Sequence, residues 1–226
     1  MNFKHLFVSA TKDKKEDTLI YKCHSINQSF NKIKQIIIEN NINGLSEVYN
    51  KILKKYKNKY DYIHFVHDDV FIYDDMNVIE NLLLDNDSDI YGVAGASKIN
   101  ISYPSLWHIM GRNHSFGTVE HKHNIRIDNL DQPNHYNVIF GPCIGNVVIL
   151  DGVYLCIKTK NIKNWKFNEN FKFHHYDIAS CIDAFKNNLK LKVIPIHIRH
   201  EPDLYDPTKN KNWIESNNKF LKLYAK

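Results

Sequence analysis

Arginine is almost missing from this chain of 226 residues: only Arg112, Arg126 and Arg199 stand among 30 basic side chains. Dedicated phosphate and base readers favour the planar, bidentate Arg fork. With a formal charge of only +5, the scarcity argues against a nucleic-acid surface. Glycine and proline are also few, at 8 and 6, which excludes a collagenous or low-complexity chain. The four cysteines (Cys23, Cys143, Cys156 and Cys181) form no CxxC pair. Three of them sit in apolar contexts, as buried free thiols do, and point to a reducing, cytoplasmic-type compartment. Long hydrophobic runs are absent too. No stretch approaches the roughly 18 apolar residues of a membrane helix. The opening MNFKHLFVSATKDKK is too interrupted for a signal-peptide core. The lysines still allow attachment to the cytosolic face of a membrane.

What is abundant is Asn, Ile and Lys, with 28, 28 and 27 copies. All three have A/T-rich codons, so the bias follows from an AT-rich genome and carries no function of its own. Hydrophobic residues make up 43% and aromatics 12%, enough for one folded domain spanning residues 1–226.

Hydrophobic spacing predicts strands at 3–10, 33–39, 62–66, 70–73, 90–94, 146–150, 153–157 and 191–198. It predicts helices at 17–30 (capped by Asp13 or Asp17), 45–56, 76–84, 176–187 and 212–224. Trp213, Phe220 and Leu223 share one side of the last helix. Residues 98–142 read as loop, and Asp151-Gly152 reads as a turn between two strands. Alternating strands and helices imply an α/β fold with a mostly parallel central sheet and helices on both faces. Ligands in such sheets bind beyond the carboxyl ends of the strands.

Four constellations fall at such places. His67-Asp68-Asp69 follows the strand 62–66. Three ionisable side chains there need a cation or water; carboxylates suit Mg²⁺ or Mn²⁺, and imidazole moves the preference toward Mn²⁺. A solvated turn is the plain alternative. Asn43-Gly44 opens a helix whose free N–H groups suit an anion, although such a turn is common without a ligand. Phe173-His174-His175-Tyr176-Asp177 opens another helix, where Asp177 reads either as a dipole partner or as a general base. Arg199-His200-Glu201 follows the strand 191–198, and His200 reads as a metal ligand or a surface residue.

Taken together, NGLSEVYN at 43–50, YDYIHFVHDDVFI at 60–72, DGVYLCIK at 151–158, FHHYDIASCIDAF at 173–185 and VIPIHIRHE at 193–201 resemble glycosyltransferases of the GT-A fold, in particular the family-2-like group. The resemblance runs over about residues 3–201. It implies a role for each matched position. Asp69 would bind the divalent metal, Mn²⁺ or Mg²⁺, with Asp68 at the metal or the donor ribose. His67 stands where many relatives have Asp. His200 fills the place of a late histidine ligand. Gly44 and Asn50 would line the nucleotide site, and Asp151 and Gly152 the donor sugar. Asp177 would be the catalytic base of an inverting member. Relatives often carry a second Asp where this chain has Ala179, which leaves Asp177 as the base.

The resemblance implies transfer of a hexose or N-acetylhexosamine from a nucleotide-diphosphate donor, UDP-linked, to a hydroxyl on a glycan, protein or lipid. The acceptor side would include Trp107, His175 and Tyr176, with Trp107 the first choice for stacking on a sugar. Tyr103, His108, Arg112, His114, Phe116 and Tyr136 lie in the same loop-rich stretch or beside it. Two rivals remain. A nucleotidyltransferase would need a Gly-rich phosphate loop, which TKDKKED after the first strand lacks. A catalytically silent carbohydrate-binding or scaffold protein would share the fold but not the metal-dependent nucleotide binding.

Overall fold

The computed structural model describes residues 3–109, 113–123, 134–202 and 209–225; Arg112 and Arg126 lie outside them. The first half alternates β1 (His5–Ala10), α1 (Leu19–Ile26), β2 (Lys34–Ile38), α2 (Leu45–Tyr56), β3 (Tyr62–Val66), β4 (Val70–Ile72) and α3 (Met76–Asp85). Then come β5 (Ile90–Gly92), β6 (Ala94–Ala96), β7 (Ser115–His123), β8 (Asn134–Ile139), β9 (Gly145–Val147), β10 (Ile149–Leu150) and β11 (Tyr154–Lys158). The chain ends with α4 (Tyr176–Lys186), β12 (Leu191–Val193), β13 (Ile198–His200) and α5 (Lys211–Tyr224).

Seven strands form the main sheet in the order β2-β1-β3-β11-β5-β12-β9. It is mixed: β1 runs parallel to β2 and β3, and β5 to β12, while β11 is antiparallel to both β3 and β5, as β9 is to β12. A second sheet, β10-β6-β7-β13-β4, carries β8 on β7. β3 is buried throughout because both its faces are covered, which is why its sequence is a continuous apolar run. α2 fits against the sheet through Leu45, Val48, Tyr49 and Leu53, a spacing that aligns them on one stripe.

Several expected elements are redrawn. The strands expected at 90–94 and 191–198 each split in two, because the chain bends at Val93 and around Pro195 and passes from the large sheet to the small one. Asp151-Gly152 is no hairpin turn: β10 pairs with β6 and β11 with β3 and β5. The pair instead joins the two sheets, with Asp151 Oδ1 accepting the Val153 N–H at 3.0 Å. The first helix starts at Leu19, capped by Thr18, whose hydroxyl accepts the Tyr21 N–H at 3.3 Å. Asp17 ends a short 3-10 turn just before it. Much of the expected loop at 98–142 is a hairpin of β7 and β8. Its buried positions on β7 are Ser115, Gly117 and Val119, small residues that hide the alternation. Gly117 has φ +105°, and a side chain there would strike the Val93 carbonyl. In α5, Phe220 is buried, whereas Leu223 faces outward. No helix among the described residues is long and apolar enough to cross a membrane.

Candidate active site

His67, Asp68 and Asp69 form the turn that carries the chain from β3 in the large sheet to β4 in the small one. β13 lies antiparallel to β4 with His200 opposite Val70, so the register brings His200 against the same turn. The Glu201 N–H donates to the Asp69 carbonyl at 2.9 Å and fixes the two segments together. One ligand atom each from His67, Asp69 and His200 lies within 4.8 Å of the others. His200 Nε2 stands 3.3 Å from Asp69 Oδ2, while Asp69 Oδ1 is buried with no hydrogen-bond partner among the described residues. A buried carboxylate oxygen left without a partner, on a residue grouped with two imidazoles, is a poor end state without a cation, and this donor set fits a divalent ion.

The charges agree with that reading. Burial works to raise Asp69, but the hydrogen bond and charge of His200 and the charge of His67 outweigh it and hold the carboxyl below its ordinary value. Burial works to lower His200, and Asp69, first by hydrogen bond and then by charge, reverses it, leaving the imidazole raised. His67 is lowered, chiefly by burial.

Asp68 turns away from this group. The turn brings residues 67 and 69 together beside His200, while Asp68 meets Thr11. Burial, opposed by that hydrogen bond, raises its carboxyl. Its carbonyl accepts the Leu19 and Ile20 N–H groups at the start of α1. His67, and not Asp68, is the neighbour grouped with Asp69 and His200; the spacing of 67 and 69 was the available signal.

The second half of the site is Asp177, in the first turn of α4. Its Oδ2 accepts the Gly152 N–H at 2.9 Å. Burial, with the charge of Asp151 added, pushes its carboxyl up to about 7. The Tyr176 hydroxyl donates to the Gly152 carbonyl at 3.2 Å and stands 3.5 Å from His67 Nε2. Gly152 is required here, because a Cβ would lie 2.6 Å from the Tyr176 hydroxyl and 3.1 Å from Asp177 Cβ. Asp177, Gly152, Tyr176 and His67 thus form one chain of contacts from carboxylate to triad.

The remaining expected residues serve the frame. Gly44 lets α2 approach the 167–172 segment, where a Cβ would lie 2.8 Å from Lys172 Cα. The Leu45 N–H donates to the Lys172 carbonyl at 2.7 Å and the Ser46 hydroxyl to that of Phe171 at 2.9 Å. The start of α2 therefore holds protein carbonyls, not an open anion site. Asn50, expected at the nucleotide, spends its amide on Phe167 N–H, Phe167 carbonyl and Glu169. Trp107 is buried against Phe140 and has no face to offer a sugar. His175 is also buried, joining Ser105 to Ser216 of α5 at 2.9 and 3.0 Å, with its imidazole lowered to about 4 by burial. Tyr176 is buried as well and acts as the bracket just described. The exposed aromatic of the site is Phe173, 55% accessible and stacked 6.2 Å from His67 at 24°. It opens the FHHYD stretch, ahead of ionisable neighbours that carry the stronger chemical signal.

A mixed sheet flanked by helices, with an Asp-bearing turn at the carboxyl end of β3, is consistent with a fold of the GT-A type. The chain matches the model of the Glycosyltransferase like family over residues 7–226 and belongs to that family. Among solved structures it is similar to A197 from STIV, at TM-score 0.52 and 12% identity, with 88% of this chain and 86% of that one covered. That identity supports likeness of fold alone. It also overlays a candidate glucose-1-phosphate thymidylyltransferase from Bacillus anthracis in complex with a sucrose. There the TM-score is 0.35 at 8% identity, with 96% and 94% covered, too weak an overlay to bear on the reaction. No curated protein sequence matches the chain.

Proposed function

We propose that this chain is a metal-dependent, inverting glycosyltransferase. It moves a hexose or N-acetylhexosamine from a UDP-linked donor to a hydroxyl of a glycan, protein or lipid. The observation that carries the reading is the joining of the His67–Asp69–His200 triad to Asp177 through Gly152 and Tyr176.

Asp69, His200 and His67 would hold a divalent ion, Mn²⁺ or Mg²⁺, which when bound neutralises the charge growing on the leaving diphosphate. Asp177 receives the proton of the attacking acceptor hydroxyl. A carboxyl lifted to about 7 is matched to that task near neutral pH, since it is both ionised enough to accept and basic enough to drive transfer. The acceptor oxygen bonds to the anomeric carbon as the bond to the diphosphate breaks, so the centre inverts. Phe173 offers its open face to a sugar ring. Gly44, Ser46 and Asn50 act at a distance by fixing the 167–172 segment from which Phe173 projects.

Calorimetric titration with UDP tests the reading against a silent scaffold of the same fold. Binding should require Mn²⁺ or Mg²⁺ and vanish in EDTA; a chain that takes up no nucleotide with either ion would exclude the donor assignment.

A further inference from the structure

The cation site is unusual for its ligand balance: two imidazoles face one carboxylate, and the neighbouring acid, Asp68, turns toward Thr11. Mg²⁺ prefers an all-oxygen shell and keeps its waters, whereas imidazole nitrogen suits the first-row transition ions. Which nitrogen of His67 faces the ion follows from its neighbours. The Tyr176 hydroxyl gives its proton to the Gly152 carbonyl. Its oxygen is therefore left as an acceptor, and His67 Nε2 stands 3.5 Å away. Nε2–H toward Tyr176 leaves Nδ1, which has no hydrogen bond among the described residues, with its lone pair free. Phe173 lies beside the same ring, 6.2 Å away at 24°. A ligand histidine whose other nitrogen is held by a second residue is the usual way a protein fixes tautomer and aim.

We propose that His67 is a cation ligand through Nδ1, oriented by Tyr176 as a positioning residue, and that it makes the site selective for Mn²⁺ over Mg²⁺. The inference rests on the triad being the cation site of the proposed transferase. It concerns metal binding alone, so it is tested on the full chain with no donor or acceptor present.

Titrations of Mn²⁺ and Mg²⁺ should differ by at least about tenfold in favour of Mn²⁺ in the wild type. Pulsed EPR of the bound Mn²⁺ should show nitrogen coupling from two imidazoles. His67→Asp should leave coupling from one and bring the two affinities to within a few fold of each other. Tyr176→Phe should weaken Mn²⁺ roughly tenfold to a hundredfold, the range for loss of such a partner, with its melting curve confirming the fold. Equal affinities for the two ions in the wild type, or a single imidazole on its Mn²⁺, would overturn the proposal without needing any variant to fold. Two imidazoles on Mn²⁺ with no sugar transfer would instead leave this inference standing and refute the transferase reading.

Discussion

Asp177→Asn should make the protein more stable and nearly inactive, and the gain should depend on pH. The carboxyl is lifted from the ordinary 3.8 to about 7. Its folded pKa thus exceeds its unfolded one, so its contribution to stability is complete below about pH 4. That contribution is lost as pH rises toward 7 and stays lost above it. Three units at 1.36 kcal/mol each set a ceiling of about 4 kcal/mol. The side chain keeps some exposure, so solvent screening reduces this to about 2 kcal/mol. Asn escapes the loss, since it carries no charge and its Oδ1 still accepts the Gly152 N–H. For a chain of this size about 2 kcal/mol corresponds to roughly 4–8 °C in Tm. Thermal melts of both proteins across the range should therefore coincide near pH 4 and separate by that amount by about pH 8. Turnover of the variant should fall roughly a hundredfold to ten-thousandfold. A variant no more stable than the wild type at every pH would refute the claim that burial and Asp151 hold this carboxyl up.

The wild-type rate kcat should rise with pH and level off above about 7, as Asp177 loses its proton, and a rate flat from about pH 5 to 8 would point to another base. Gly152→Ala places a methyl 2.6 Å from the Tyr176 hydroxyl; overpacking of this kind should cost about 1–3 kcal/mol in a denaturant titration and lower turnover together with it. Phe173→Ala removes an exposed ring, so Tm should hardly move while KM for one sugar substrate rises severalfold and Phe173→Trp restores it; unchanged kinetics would remove the stacking role.

Much of the site was legible because its parts follow strand ends. HDD after β3 and RHE at β13 needed only the antiparallel register of β4 and β13 to meet, and the order of motifs already pointed to it. Where expected residues turn out to be engaged elsewhere in the fold, the causes are packing contacts. Asn50 sits on the expected helix and Gly44 caps its start, but both face the 167–172 segment, a long-range packing partner that no local pattern reveals. Trp107 looked like a loop aromatic because the hairpin beneath it buries Ser115, Gly117 and Val119, residues too small to show a hydrophobic alternation. Without the hairpin there was no surface to bury the indole. The bends at Val93 and Pro195, which carry strands from one sheet to the other, are likewise invisible to a period-two count. They matter because the site lies at the seam of the two sheets.

The proposed reaction is cation-dependent transfer with inversion. Proton NMR of the product's anomeric centre, from a UDP-sugar and a hydroxyl acceptor with Mn²⁺, tests it most directly. A glycoside of opposite anomeric configuration to the donor should form with Mn²⁺ and be absent in EDTA. A product of retained configuration, or one formed undiminished under chelation, would contradict it.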